Sequence, residues 1–271
     1  MPGDSSAIVH NANLWTSHLT LPEVAPMKMS TQFLRSIALS QVPEPEAYPF
    51  SVPAVRGLAK NPLQFHGRCT FLIGENGSGK STLVEAIAVA AGFNAEGGTS
   101  NFQFATQESH SSLHNHLKLT RGIARPKAGF FLRAESFYNV ATQIDNLGVA
   151  HNYGGKSLHA RSHGEAFLAL MMHRFQPNGL YILDEPEAAL SPSRQMSMLA
   201  LMHRLIKSGS QFIVATHSPI VMAYPDSQMY KLTESGIEKT TFHETEHYIV
   251  TKRFLNEPEE MLSLLLEDEN D

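Results

Sequence analysis

The run Gly74-Glu75-Asn76-Gly77-Ser78-Gly79-Lys80-Ser81-Thr82 fits the pattern G-x-x-x-x-G-K-[ST] at every position. It stands between an apolar run, residues 69–73, and a helix-forming run, residues 83–91, for which Gly92 is a natural stop. Strand, tight turn and helix are therefore expected in that order. Glycines let backbone N–H groups turn inward around a phosphate with no Cβ in the way, and the following helix offers its positive N-terminal end. Gly74, Asn76, Gly77, Ser78, Gly79 and Thr82 are the expected lining of such a cradle. Lys80 is expected to reach β- and γ-phosphate oxygens, and the Ser81 hydroxyl to take one position on Mg²⁺.

Two further apolar runs end in chemistry-bearing residues. Leu180-Tyr181-Ile182-Leu183-Asp184-Glu185 has the form of a Walker B strand, whose carboxyl end delivers carboxylates to the crevice where ligands bind in open α/β sheets. Asp184 is expected on Mg²⁺ with Ser81, and Glu185 at the attacking water as general base or water-orienting group. Alone, an Asp-Glu pair reads as a helix start; the phosphate loop changes that. Val214-Ala215-Thr216-His217-Ser218 ends the next predicted strand 32 residues after Glu185, so His217 is a candidate γ-phosphate contact. Ser162-His163-Gly164-Glu165 opens a helix 22 residues before Asp184. It is either a second anion site at a helix N-terminus or an ordinary N-cap with an acidic first turn.

Strands at 31–41, 65–73, 129–133, 180–183 and 211–216 alternate with helices at 83–91, 136–146, 166–175 and 193–208. This order predicts an α/β fold, a mostly parallel core sheet with helices on both faces. An edge strand or hairpin is expected around 48–55, short antiparallel strands and loops over 94–128, including 101–106, and a flexible loop at 152–156. A hairpin, 228–232 with 236–242, and a helical stretch, 248–266, follow; the amphipathic face of 193–208 is expected to carry Met196, Leu199, Leu201, Met202, Leu205 and Ile206. The expected division is an irregular lead-in over 1–30, one domain over 31–245 with an insert at about 94–175, and a C-terminal helix and acidic tail over 246–271.

The single cysteine, Cys69, excludes an internal disulfide framework and suits a reducing compartment. No basic start followed by an apolar core marks a secretory signal, and no apolar stretch reaches membrane-spanning length, so a cytoplasmic protein is expected. A net charge of −5 gives no global attraction to nucleic acid.

Phosphate loop, serine-glycine helix start, Asp-Glu strand, Ala188-Ala189-Leu190-Ser191 and Thr-His-Ser strand follow one another over about residues 45–235. In this order they resemble the ATP-binding cassette ATPases, in the form of the RecF and SMC branch and its stand-alone AAA-type relatives without a coiled-coil arm. The resemblance implies the P-loop ATPase head architecture, with an antiparallel β subdomain and a small helical subdomain. It implies Mg²⁺-dependent ATP hydrolysis in a head-to-tail homodimer that sandwiches two ATP molecules. Ser162, Gly164 and Glu165 of one protomer would then complete the site of the other, with Asp184 on Mg²⁺, Glu185 catalytic and His217 as switch histidine. The work would be done on DNA, RNA or an unidentified protein partner; the alternatives are a transporter's nucleotide-binding subunit, or a nucleotide-dependent switch with negligible turnover.

This chain departs from the family pattern in three places: His163 where a glycine is usual, Ser191 where an aspartate is usual, and no glutamine directly after strand 129–133. The Mg²⁺-sensing position is Glu135 or Gln143, with Gln103 and Gln107 lying too early. The adenine-stacking aromatic is Tyr48, 26 residues before Gly74, with Phe50 and Phe65 as competitors. His110, His114 and His116 lack a nearby cysteine or carboxylate to complete a metal site and read as a polar loop. Lys118, Arg121, Arg125, Lys127 and Arg133 form a basic cluster that is either solvated surface or a contact for nucleic-acid phosphates. If it meets phosphates, changing Arg121, Arg125 and Lys127 to Glu abolishes DNA-stimulated ATP turnover; stimulation that survives the change excludes the contact.

Overall fold

The computed structural model describes residues 32–40, 44–99, 111–146 and 158–266. The lead-in 1–30, Gln103, Gln107 and His110, the expected strand 101–106, the loop 152–156 and the tail from 267 lie outside them, as does the side chain of Gln143. The strands are β1 (Leu34–Leu39), β2 (Leu63–Gln64), β3 (Cys69–Ile73), β4 (Leu117–Arg121), β5 (Ala128–Arg133), β6 (Gly179–Asp184), β7 (Gln211–Ala215), β8 (Gln228–Thr233) and β9 (Gly236–Thr240). They form a central sheet in the order β5-β6-β7-β3-β8-β9 and a small antiparallel sheet in the order β2-β1-β4. All neighbours in the central sheet are parallel except β9, which turns back along β8.

The helices are α1 (Pro53–Lys60), α2 (Lys80–Ala91), α3 (Phe137–Asn146), α4 (His163–Arg174), α5 (Pro192–Lys207), α6 (Pro219–Met222), α7 (Glu246–Asn256) and α8 (Pro258–Leu266). Parallel strands covered on both faces must be apolar throughout, and every residue of β3, β6 and β7 is buried. Their side chains alternate between two cores. Phe71, Tyr181 and Phe212 face Phe167, Phe175 and Met198 on the side of α3, α4 and α5. Leu72, Ile182 and Ile213 face Leu58, Leu83 and Ile87 on the side of α1 and α2, where the small sheet also packs. The fold is thus the α/β architecture expected from the sequence.

Local expectations fail where proline or a bend intervenes. Residues 48–55 do not form an edge strand. Pro53, whose ring presets a helical φ and whose missing N–H is not needed in a first turn, starts α1 instead, and Ala54, Val55 and Leu58 bury its inner face. The expected strand 65–73 begins only at Cys69: β2 ends at Gln64 and the chain bends at residues 67 and 68, with the His66 N–H donating to Thr70 Oγ1 at 2.8 Å. On α5 the buried stripe runs through Gln195, Met198, Leu201, Met202, Leu205 and Ile206, so Met196 is exposed and Met198 takes the core position. The helical stretch 248–266 divides before Pro258, which cannot continue a helix's hydrogen bonds. Neither α7 nor α8 buries a side chain.

Gln211, fully buried at the start of β7, ties the small sheet to the large one. Its Oε1 accepts from the Phe33 and Leu34 amides at 3.0 and 2.9 Å, and its Nε2 donates to the Leu34 and His66 carbonyls at 2.8 and 3.0 Å. Replacing it with leucine keeps the volume but strands buried backbone groups. We expect Gln211→Leu to lose about 3 kcal/mol of stability, read as a lower urea midpoint. An unchanged midpoint would mean that the two sheets are held together by apolar packing alone.

Candidate active site

The carboxyl ends of β3, β5, β6 and β7 meet at one edge, and strand register decides what they bring there. Arg133 pairs with Asp184, Asp184 with Ala215, and Ala215 with Leu72. Beyond this rung the chain enters the phosphate loop from β3, Glu185 from β6 and His217 from β7. The loop needs its glycines. Gly74 and Gly79 adopt φ of 150° and 91°, and a Cβ would lie 2.6 Å from the Leu232 carbonyl oxygen at the first and 2.5 Å from Val52 Cγ1 at the second. Helix α2 begins at Lys80, whose buried ammonium donates to the Gly74 and Glu75 carbonyls at 2.9 and 2.8 Å. Burial lowers its pKa, against the field of Glu185, Asp184 and Glu187.

Ser81 Oγ donates to Asp184 Oδ1 at 3.2 Å, joining the loop to β6. Burial pushes the Asp184 carboxyl up to about 7, a shift that Arg133 opposes and Glu185 reinforces. The Arg133 guanidinium lies 2.6 Å from Glu85, 3.3 Å from Glu135 and 3.5 Å from Asp184. Glu185 has φ 49° and ψ 50°, a left-handed conformation that costs a non-glycine residue about 1 kcal/mol or more. Its amide donates to the Ala215 carbonyl at 3.0 Å, while His217 Nε2, buried and without a hydrogen-bond partner among the described residues, faces Glu185 Oε1 at 3.5 Å. The His217 amide donates to Glu187 Oε1 at 2.5 Å.

A pocket of about 200 Å³ is lined by Ser81, Arg133, Glu135, His163, Asp184 and Glu185 among others. A cleft of about 500 Å³ runs beside Glu75, Asn76, Gly77, Ser78 and Lys231. The residues fit a nucleotide with a divalent cation. Among the described residues, Ser78 Oγ is buried without a hydrogen-bond partner and Lys80 Nζ donates to two carbonyls. Ser81, Asp184 and Glu135 offer the all-oxygen donors a hard cation takes, and a cation would hold Asp184 ionised.

Tyr48 is exposed beside the loop, its hydroxyl sharing a hydrogen bond with Thr82 Oγ1 at 3.1 Å, whereas Phe50 and Phe65 are buried. Ser162 caps α4, and Glu165 Oε2 accepts from its N–H at 3.1 Å. Arg194 Nη1 donates to Ser162 Oγ at 3.3 Å and Nη2 to Glu165 Oε1 at 3.0 Å. Gly164 lies against the segment after β6. Of the basic cluster, Arg133 belongs to the site, and Arg121 donates to the last carbonyls of α2; Lys118, Arg121, Arg125 and Lys127 are exposed. His114 contacts the Ser111 carbonyl and His116 the ring of Phe50, and no cluster of potential metal ligands occurs among the described residues.

Sequence reasoning missed Arg133 as a site residue, Glu187 and His247. Glu85, an acid inside an apolar helical run, signals a buried partner and so points to Arg133. Nothing in the sequence pairs His247 with His217, 30 residues earlier, yet its Nε2 lies 3.1 Å from His217 Nδ1.

A family model described as "AAA domain, putative AbiEii toxin, Type IV TA system" matches residues 165–223, and one described as an AAA domain matches residues 54–134. The thiamine import ATP-binding protein ThiQ of Cereibacter sphaeroides is 31% identical over 166 residues, 55% of this chain and 70% of that protein. The cytochrome c biogenesis ATP-binding export protein CcmA of Rhodopseudomonas palustris is 28% identical over 58% of this chain and 82% of its own length. The structure of cbiO1 from Clostridium perfringens, part of the ABC transporter complex cbiONQ, aligns with 88% of this chain and all of that one, at 19% identity and a TM-score of 0.46. The chain belongs to the ATP-binding cassette ATPases. It is an ATPase, and none of its described helices is long and apolar enough to cross a membrane.

A Cβ at Gly164 would lie 2.7 Å from the Ala189 carbonyl oxygen and 2.9 Å from Arg194 Nη1. Gly164→Ala should push α4 off the segment after β6 and lower the melting temperature by about 5 °C. An unaltered melting temperature would show that the two segments separate at no cost.

Proposed function

We propose that the protein couples Mg²⁺-dependent ATP hydrolysis to the closing and opening of a head-to-tail homodimer. The observation that carries this reading is the convergence of Ser81, Asp184, Glu185 and His217 at one sheet edge, with Ser81 and Asp184 in direct contact. Backbone amides of the loop and Lys80 bind the phosphates, and exposed Tyr48 stacks on the base. Ser81 and Asp184, with Glu135 at the outer side of the pocket, would hold Mg²⁺, which supplies charge neutralisation at the β- and γ-oxygens. Glu185 orients the attacking water and accepts its proton, and His217 donates to a γ-phosphate oxygen. Ser162 Oγ and the free N–H groups at the start of α4 face the nucleotide of the second copy, so each site is incomplete in one protomer.

A second reading, the nucleotide-binding subunit of a transporter, is favoured by the relatives whose names describe import and export proteins. It requires a separate membrane protein, and a complex recovered with one would support it. The altered signature, in which His163 lines the 200 Å³ pocket where the family has glycine, and the Asn76-Gly77-Ser78-Gly79 form support the first reading instead.

The test is ATP turnover of the wild type beside Glu185→Gln and Lys80→Ala, with mass measured by light scattering. Glu185→Gln should lower turnover at least about a hundredfold and remain a dimer in Mg²⁺-ATP, because binding survives when water activation does not. Lys80→Ala should lose both binding and dimer. A Glu185→Gln protein that binds ATP yet stays monomeric would exclude the sandwich.

A further inference from the structure

His217 is held from two sides. Glu187 fixes its backbone, leaving only the orientation and tautomer of the ring to be set. On one edge of the ring, Nε2 is buried, 3.5 Å from Glu185 Oε1 and with no hydrogen-bond partner among the described residues. On the other edge, Nδ1 lies 3.1 Å from His247 Nε2, with the two ring centroids 5.3 Å apart.

His247 is the second residue of α7, and the first turn of that helix is fixed. Thr245, buried at the N-cap, accepts from the Tyr248 N–H at 3.2 Å and donates to the Phe242 carbonyl at 2.8 Å; the Tyr248 ring packs 4.6 Å from that of Phe242. The imidazole is thereby presented to His217 by a rigid turn, although the rest of α7 buries nothing.

A neutral imidazole has one N–H, and the contact between Nδ1 and Nε2 can hold only one hydrogen. Both rings are partly buried, and the desolvation lowers their pKa values, which favours the neutral forms. Glu185 and a γ-phosphate oxygen can only accept, so His217 must carry its hydrogen on Nε2. Its Nδ1 must then accept, and the hydrogen in the contact belongs to His247. The opposite tautomer would turn a lone pair toward carboxylate and phosphate.

We propose that His247 is a positioning residue: its Nε2–H donates to His217 Nδ1 and thereby holds His217 in the tautomer that donates from Nε2 to the γ-phosphate. This rests on the reading of His217 as the γ-phosphate contact. It also makes the first turn of α7 part of the catalytic apparatus, since displacing that turn frees the His217 ring.

The test uses ¹⁵N-histidine-labelled protein, with the His217 resonances assigned by their loss in His217→Gln. Wild type and His247→Gln, whose amide N–H₂ reaches the same place, should show the Nε2–H tautomer at His217. His247→Phe, which keeps a ring but has no donor, should show a mixture of tautomers. In the same proteins, His247→Phe should lower kcat about tenfold with the KM for ATP unchanged, and His247→Gln should restore most of it. A purely structural role would not distinguish Phe from Gln in this way. An Nδ1–H tautomer in the wild type, or a His247→Phe enzyme with wild-type kcat, overturns the proposal. Should the wild type bind ATP without turnover, the functional reading fails, and the tautomer measurement still decides the role of His247.

Discussion

A parallel sheet puts the ends of its strands at one edge, and everything chemical in this protein depends on the register with which β5, β6, β7 and β3 arrive there. One ladder rung carries Arg133, Asp184, Ala215 and Leu72. A slip of one residue in β6 would send Asp184 to the opposite face and bury Leu183 among charges. The two apolar cores prevent this, because Tyr181 and Leu183 can be buried only on one side and Leu180 and Ile182 only on the other. Packing far from the site thus fixes the position of its carboxylates.

Bringing those groups together places charge where water is scarce. Lys80 and Asp184 are almost wholly buried, and Glu85 and Arg133 are largely so. Such groups are tolerated when each finds a partner, and here the partners form a network: Arg133 joins Glu85 of α2 to Asp184 of β6, and Ser81 joins the phosphate loop to the same aspartate. Arg133 matters most when Asp184 is ionised, since burial alone drives that carboxyl toward neutrality. The ion pair with Glu85 also fixes the guanidinium, so it stays at the pocket wall.

The sequence made the phosphate loop, Asp184, Glu185 and His217 legible because each is a local signal: a glycine pattern, or a polar residue ending an apolar run. The same logic recovered the layers of the fold. It failed where the determining contact is remote in the chain. Residues 48–55 look extended because prolines crowd them, yet Pro53 at a first helical turn is stabilising once Leu58 has a core to enter. Met196 and Met198 are equivalent in composition, and only the orientation of α5 against β6 and β7 decides which is buried. In the sequence Arg133 reads as one of a basic cluster, because its strand pairing with Asp184 cannot be read from its own neighbours. Gln211 and His247 carry no local signal, since their partners lie in β1 and at the end of β7.

The strained backbone at Glu185 connects these elements. Its left-handed conformation turns the chain sharply after β6, and that turn directs the short helix Pro186–Ala189 back across the site. Glu187 on this helix holds the amide of His217, so the ends of β6 and β7 cannot move independently. Two residues later, the carbonyl of Ala189 packs where a side chain on Gly164 would stand, and Gly164 lies in the first turn of α4 behind Ser162. The contacts therefore run without a gap from His217 through Glu187 and Ala189 to the N-terminus of α4. The Glu185 turn is thus packed at once against the end of β7 and against the first turn of α4. The rare conformation of Glu185 costs about 1 kcal/mol or more, and it persists because the Ala215 carbonyl and the short helix after it over-determine the turn.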